Sequence, residues 1–161
     1  MHQGAKWIAM AAMGVSLLWC QGEAAAPNKR QAGSGIVWHS DVTVAKKVTR
    51  EKRLPMLVFV TRQDCYYCTK MKQSTYADRD VIAEVHRSFV PVQMSGAGHE
   101  PAVQKLGIQL YPTTVLLSPE GEVLDVITGY VPVDELKPRL EAAAGTVRTA
   151  GLPKKTTVDP Q

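Results

Sequence analysis

The chain has 161 residues, of which 45% are hydrophobic and 6% aromatic, and its formal net charge is +4. This length and composition predict one soluble globular domain with a sizeable core. The basic residues are scattered or fall in short runs, without the long basic stripe interleaved with aromatic residues that a nucleic-acid surface shows. We therefore place them on solvated helix faces and expect no nucleic-acid partner.

The first 26 residues have the pattern of a signal peptide. Lys6 precedes a run of apolar or small residues from Trp7 to Trp19, and the small residues of Gly22–Ala26 follow where a signal peptidase would cut. The apolar run is short for a membrane span. A second interpretation is a bacterial lipoprotein signal in which Cys20 is lipidated and becomes the mature N-terminus, and a third is an uncleaved anchor. We expect export to the periplasm or the cell exterior, with membrane attachment only if Cys20 is lipidated.

The rest of the chain divides into a lead, a domain and a tail. Residues 27–35 are rich in proline, glycine, serine and charge and are predicted to be a flexible lead. Residues 36–145 are predicted to form the domain. Residues 146–161 are rich in threonine, lysine and proline and are predicted to be a disordered tail.

The domain is expected to begin with a short strand and a helix. Ile36–His39 is the candidate strand, and the helix runs from a cap at Ser40 or Asp41 to about Arg53. The inner face of this helix is predicted to carry Val44, Ala45 and Val48.

The next segment places two cysteines after a buried strand. Leu54–Thr61 is almost wholly apolar or β-branched, and it is too short for a buried helix. After three polar residues, Cys65 is predicted at the first helical position, with Cys68 one turn later on the same face. Unpaired N–H groups and the helix dipole stabilise a thiolate there, and the second sulfur can reach back to close a disulfide. If Cys20 leaves with the signal, these are the only cysteines of a mature chain in an oxidising compartment.

The later elements alternate between helices and strands. The predicted elements are a helix capped by Asp78 or Asp80, a parallel strand at Phe89–Met94, a short helix at Pro101–Leu106, a hairpin of Thr113–Leu117 with Val123–Thr128, and a last helix at Val133–Ala144. Pro91 lacks a ladder donor, which indicates that its strand lies at a sheet edge or is poorly paired on one side.

These motifs together resemble the thioredoxin superfamily. The residues that carry the resemblance are Phe59-Val60, Cys65-Tyr66-Tyr67-Cys68 with Lys70, Gly107 to Thr113, the Pro119 to Glu122 turn, and Gly129-Tyr130. The segment from about Ile36 to Ala144 is most similar to exported thioredoxin-like domains allied to the C-terminal domain of the bacterial disulfide-transfer protein DsbD. The resemblance implies an α/β thioredoxin-like fold, a mixed central sheet with helices on both faces.

The resemblance also implies roles for the site residues. It makes Cys65 the exposed nucleophile and Cys68 the resolving thiol of a redox-active disulfide that needs no other cofactor. It makes Tyr111-Pro112 a cis peptide facing the sulfurs, with the Tyr111 backbone pairing to a partner's extended segment; the residues alone predict only a strand-entry proline at Pro112.

The two tyrosines between the sulfurs have two interpretations. Tyr66 and Tyr67 either form a lip that binds the partner protein or pack half-buried in the first turn of the helix.

Two positions depart from the family pattern. Asp64 stands where a tryptophan commonly precedes the first cysteine, and Phe59 stands where thioredoxins carry a buried acid that relays the resolving thiol's proton. Asp64 disfavours the thiolate, whereas the helix terminus, Arg62 and Lys70 favour it. The missing acid argues against fast turnover but not against disulfide exchange.

Three functions remain open for the cysteine pair. The first is a thiol-disulfide oxidoreductase, a monomer that exchanges disulfides with partner proteins and is connected to an upstream redox protein. The second is a thioredoxin-fold adaptor whose disulfide is static. The third is a metal site or metallochaperone that uses both cysteines and a histidine. Because the histidines His39, His86 and His99 are dispersed, we expect surface histidines and no metal site.

Overall fold

The computed structural model describes residues 35–150. The predicted signal peptide, with the cleavage and lipidation alternatives at Cys20, lies outside the described residues. So do residues 27–34 of the lead and residues 151–161 of the tail.

The described residues form five α-helices and four strands. In chain order these are α1 (Val42–Lys52), β1 (Met56–Thr61), α2 (Tyr66–Gln73), α3 (Arg79–Ser88), β2 (Val90–Ser95), α4 (Glu100–Lys105), β3 (Thr113–Leu117), β4 (Val123–Thr128) and α5 (Val133–Ala150). Short 3₁₀ turns at Thr75–Ala77 and Gly96–Gly98 follow α2 and β2.

The sheet is mixed, with the strand order β2-β1-β3-β4. β1 is parallel to β2 and antiparallel to β3, and β3 forms the predicted hairpin with β4. The N–H of Val90 bonds to Pro55 on the β1 side, whereas the N–H of Gln93 bonds outward to His39. The ring nitrogen of Pro91 therefore points away from β1, and the prediction that its strand lies at the edge is confirmed.

Alternate residues of the sheet supply two separate cores. Leu57 and Phe59 of β1 face α2, α3 and α5, where they meet Met71, Val85, Leu136 and Leu140. Met56, Val58 and Val60 face α1 and α4, where they meet Ala45, Val92 and Val103. Because successive side chains of a strand point to opposite faces, every residue of β1 is buried, as its unbroken apolar run predicts. Helices thus cover both faces of the sheet, in the thioredoxin-like arrangement that the sequence predicts.

The predicted first strand is the main difference from expectation. Instead of a strand over Ile36–His39, only His39 pairs with the sheet, through one parallel bridge to Val92. Its N–H donates to Pro91 O at 2.9 Å. Trp38 packs on the buried ring of Phe59. The segment Ile36–His39 therefore contributes a side chain to the core rather than a further hydrogen-bonded strand to the sheet.

The first helix differs from the prediction on its inner face. Asp41 caps it by accepting from the N–H groups of Thr43 and Val44, as one of the two predicted alternatives. Val44 is 49% exposed rather than inward, and Thr49 is buried in addition to Ala45. The buried face of α1 thus includes Thr49 and leaves out Val44. The sequence pattern did not predict this, because it favours valine over threonine as a core residue.

The last helix is longer than predicted. It continues to Ala150, so residues 146–150, assigned to a disordered tail, are helical. Pro138 lies inside the helix. Leu136, Leu140 and Ala143 are buried against the rest of the core. Over residues 35–150, the helices lack the combination of length and apolar character that a membrane crossing requires.

Candidate active site

The two cysteines of the C-x-x-C motif form a disulfide at the start of α2. Cys65 is the N-cap of this helix, one residue earlier than predicted, with φ −99° and ψ 100°. Its sulfur accepts a hydrogen bond from the N–H of Cys68 at 3.2 Å. Asp64, with φ 54°, turns the chain sharply before the helix. The sulfur of Cys65 therefore takes the place that a serine or aspartate oxygen usually occupies at a helix N-terminus.

The two sulfurs differ in their exposure. Cys65 is partly exposed, whereas Cys68 is only 3% exposed. Thiol-disulfide exchange requires in-line access to the attacking or attacked sulfur. Cys65 is therefore the cysteine that a partner protein can reach, and Cys68 lies beneath it.

The Tyr111-Pro112 peptide lies at the same end of the sheet. The bond is cis, as the resemblance implies. Thr113, the next residue, pairs with Val60 near the end of β1, the strand that leads into the cysteine turn. The Thr113 hydroxyl donates to Leu110 O at 2.7 Å and closes the loop around the proline. The central strand and its neighbour thus bring the two motifs to one edge, although they lie more than forty residues apart.

The ring of Tyr111 is held from two sides. Its hydroxyl end lies against Gly96, where an added β-carbon would stand 2.5 Å from the Tyr111 oxygen. The guanidinium carbon of Arg62 lies 5.6 Å from the ring centroid, within the range of a cation–π contact. Arg62 follows β1, so this contact joins the loop before the cysteines to the loop that carries the proline.

Tyr66 and Tyr67 face the solvent beside the disulfide. They are 73% and 54% exposed, and their ring centroids lie 5.3 Å apart in an edge-to-face arrangement. Tyr67 also approaches Tyr130, with 6.4 Å between the ring centroids. Tyr66 is therefore mostly exposed, whereas Tyr67 covers about half of its surface by packing on the other two rings. Three tyrosines thus form one aromatic surface next to the cysteines.

Tyr130 extends this surface along α2. The ammonium of Lys70 lies 4.3 Å from the centroid of its ring, and the Tyr130 hydroxyl lies 3.5 Å from that of Ser74. The hydrogen bond with Ser74, and to a lesser extent the charge of Lys70, lower the pKa of Tyr130 below the ordinary tyrosine value. Lys70 and Arg62 therefore each lie over a tyrosine ring.

An aromatic cluster lies where the family carries a buried acid. Phe59 is fully buried, with ring centroids 4.8 Å from Tyr76 and 5.7 Å from Trp38. The hydroxyl groups of Tyr76 and Thr114 lie 2.7 Å apart and form a buried hydrogen bond. Burial raises the pKa of Tyr76 well above its ordinary value. The cluster thus keeps Tyr76 neutral, and the partly buried Trp38 packs against the core.

The histidines contribute no metal site to the described part of the chain. Within residues 35–150, no group of three or more histidine, cysteine, aspartate or glutamate side chains is arranged to hold a metal ion. His39 lies at the sheet edge, and Nδ1 of His99 lies 3.1 Å from Ser95 O.

Sequence reasoning missed two residues of this region. Gly96 lies against Tyr111, and nothing in the local sequence distinguishes it from the nearby Gly98. Tyr130 supports the family resemblance, but its approach to Tyr67 depends on how the strand end after β4 meets α2. The pattern Gly129-Tyr130 directly after a strand is the only sequence signal that singles out this tyrosine.

Comparison with known proteins identifies the family of the sequence and relatives of the fold. A family model for thioredoxin-like domains matches residues 42–144. No curated protein matches the sequence. The chain belongs to the thioredoxin-like family, within the thioredoxin superfamily and with a likeness to the DsbD C-terminal domain.

Solved structures show the same fold at low sequence identity. A thioredoxin from Thermus thermophilus is 18% identical with a TM-score of 0.66, covering 78% of this chain and 99% of its own. A DsbH oxidoreductase is 16% identical with a TM-score of 0.63, covering 77% of this chain and 94% of its own. The oxidised DsbD C-terminal domain of Neisseria meningitidis is 16% identical with a TM-score of 0.58, covering 66% of this chain and 99% of its own.

Proposed function

We propose that this protein is an exported thiol-disulfide oxidoreductase that exchanges disulfides with partner proteins through Cys65 and Cys68. The observation that carries the proposal is the pairing of a partly exposed Cys65 at the helix N-cap with a buried Cys68 disulfide-bonded to it. N–H groups at the helix start stabilise a thiolate on Cys65 once the bond is reduced. The family membership and the disulfide support this general class of activity.

The exchange runs in two steps. In the reduced protein, the Cys65 thiolate attacks a partner disulfide, forming a mixed disulfide and releasing one partner thiolate, which takes a proton from water. Cys68 then gives its proton to the solvent and attacks the Cys65 sulfur, which breaks the mixed disulfide and releases the second partner thiolate. Two electrons pass to the partner, and Cys65–Cys68 is left oxidised. The reverse sequence donates the disulfide, and the reduction potentials of the two pairs set the direction.

The surroundings of Cys65 support protein substrates. The proposed partner-binding surface consists of Tyr66, Tyr67, Tyr111 and Pro112, with the Tyr111 backbone pairing to an extended partner segment. Exposed tyrosines supply large contact area with a polar group and are enriched at interfaces. We further propose that the protein works as a monomer in the periplasm or outside the cell, connected to an upstream redox protein.

The test is disulfide exchange by cysteine variants of the full chain. Cys65→Ser is expected to abolish reduction of insulin disulfides, and Cys68→Ser is expected to accumulate mixed disulfides because the resolving thiol is gone. Cys20→Ser is the matched control and retains activity. Equal insulin reduction by the wild type and the first two variants would refute the oxidoreductase.

A second candidate is an adaptor that binds a partner while its disulfide stays closed. The observation in its favour is the buried aromatic ring of Phe59. This ring occupies the place of the buried acid that relays the resolving thiol's proton in thioredoxins. An adaptor would capture the same partner when both cysteines are replaced by serine. Loss of all capture in that double variant would exclude the adaptor and leave the enzyme.

A further inference from the structure

A second concave site lies away from the cysteines, on the sheet face covered by α1 and α4. It is a groove of about 350 Å³ between these helices and the turn of the β3–β4 hairpin. Its floor and walls are apolar and include Met56, Val58, Met94, Ala102, Leu106 and Leu117. None of the cysteine-site residues lines it. The helix α4, which forms one side of the groove, is only six residues long.

The size of the groove limits the ligand that it can hold. Small-molecule sites span about 300 to 1,000 Å³, and this groove falls at the lower end of that range. One aliphatic chain fits such a volume better than the two chains of a phospholipid.

The rim of the groove is positively charged. Lys46 and Arg50 of α1 and Lys105 of α4 line it, against one carboxylate from Glu120. Among the side chains described in residues 35–150, which exclude that of Glu100, none of the three cations takes part in a salt bridge. An apolar groove with unneutralised cations at its edge is complementary to an apolar chain that ends in an anion.

The α1 wall concentrates its polar groups in one place. Lys46, Thr49 and Arg50 have i, i+3 and i+4 spacing and therefore share a helix face. Thr49 is 1% exposed, and its hydroxyl has no hydrogen-bond partner in the described part of the chain. A buried hydroxyl group without a hydrogen-bond partner lowers the stability of the fold and is uncommon in proteins. The Thr49 hydroxyl is therefore a free donor on this wall, between Lys46 and Arg50.

We propose that the groove binds a single-chain aliphatic carboxylate of the fatty-acid type. The chain lies on the apolar walls, and the carboxylate lies at Lys46 and Arg50, with the Thr49 hydroxyl available as a donor. This binding is separate from disulfide exchange and stands whether or not the protein is an oxidoreductase.

The test is calorimetric titration of the purified full chain with dodecanoate below its micelle concentration. Saturable binding at one site is expected. The double charge reversal K46E/R50E is expected to weaken binding by at least about tenfold, because it replaces attraction at the rim with repulsion. The matched control is K47E/K52E, which changes the charge of the same helix equally at two exposed positions outside the groove.

Two further arms keep the test specific. Ala102→Phe fills the groove and leaves the cations in place, so it is expected to abolish dodecanoate binding; circular dichroism checks that each variant folds. Dodecyltrimethylammonium, the same chain with a cationic head, is expected to bind at least about tenfold more weakly. Equal affinity for both chains, or equal loss in the two charge-reversal variants, would overturn the proposal. Binding of anionic phospholipid vesicles without binding of dodecanoate would also overturn it and assign the rim to a membrane surface.

Discussion

The hydroxyl end of Tyr111 lies so close to Gly96 that a β-carbon at Gly96 would stand 2.5 Å from the tyrosine oxygen and 2.9 Å from the ring carbon that carries it. The glycine after β2 thus sets the position of the residue before the cis proline. The atom in contact is the far end of a partly exposed side chain, which can move away from an added methyl group.

We therefore expect Gly96→Ala to displace the Tyr111 ring without unfolding the domain. The unfolding free energy should change by no more than about 1 kcal/mol. If Tyr111 binds partners, the KM for a protein disulfide should rise by about tenfold, the effect of losing one well-packed interface contact. Gly98→Ala is the matched control, because apart from its chain neighbours no described atom lies within 4 Å of its added β-carbon. Identical kinetics in the two variants would contradict this role for Gly96.

Tyr76 is expected to stabilise the core through its hydroxyl group. Tyr76→Phe removes the 2.7 Å hydrogen bond to Thr114 and leaves the buried Thr114 hydroxyl without this partner. The expected loss of unfolding free energy, measured by urea denaturation, is about 1 to 3 kcal/mol. Tyr66→Phe is the control and should change stability by less than about 0.5 kcal/mol, since Tyr66 is 73% exposed. A Tyr76→Phe variant as stable as wild type would show that the hydrogen bond contributes nothing net.

The ion pair between Asp80 and Lys137 predicts a pH dependence of stability. The Nζ of Lys137 lies 2.9 Å from Asp80 Oδ2 and joins α3 to α5. The hydrogen bond and charge of Lys137 lower the pKa of Asp80, and those of Asp80 raise the pKa of Lys137. The contribution of Asp80 to the free energy of unfolding is therefore present above its ordinary pKa, and it is lost as the pH falls through its lowered pKa in the folded protein. The contribution of Lys137 is present below its ordinary pKa, and it is lost as the pH rises through its raised pKa in the folded protein.

The measurement is the difference in unfolding free energy between wild type and Asp80→Asn. This difference in unfolding free energy should be largest near neutral pH and should fall towards zero in acid and in strong base. Because both side chains reach the solvent, it should also shrink at high salt. A difference that stays constant across the whole pH range would mean that the pair makes no electrostatic contribution.

Leu140 is expected to be a main anchor of α5. It is fully buried in the core between the sheet and the helices α2, α3 and α5. Leu140→Ala should lower the unfolding free energy by about 2 to 5 kcal/mol, because it removes buried apolar contacts and leaves a cavity. Leu110→Ala removes the same atoms from a side chain that is 63% exposed and should cost less than about 0.5 kcal/mol. Similar losses in the two variants would contradict this assignment of the core.

Local sequence determined most of the elements and the redox motif. The apolar run of β1 requires burial on both faces, and the hairpin strands Thr113–Leu117 and Val123–Thr128 have the bounds that their pattern predicts. In the turn between them Pro119 fixes its own φ, and Gly121 adopts a φ of 96° that other residues disfavour, so local chemistry suffices. The pair Cys65 and Cys68 follows from their spacing, since two residues between cysteines at a helix start permit a disulfide.

Only the tertiary structure decided what surrounds the cysteines. The contacts of Tyr111 with Gly96 and Arg62, and of Tyr130 with Tyr67 and Lys70, join residues distant in the chain, so no local pattern encodes them. The same holds for the groove beside Thr49, which is lined by residues from α1, α4, the strands and the hairpin turn. Sequence periodicity reports which face of an element is apolar, but the neighbour that covers it depends on the packing of the whole chain.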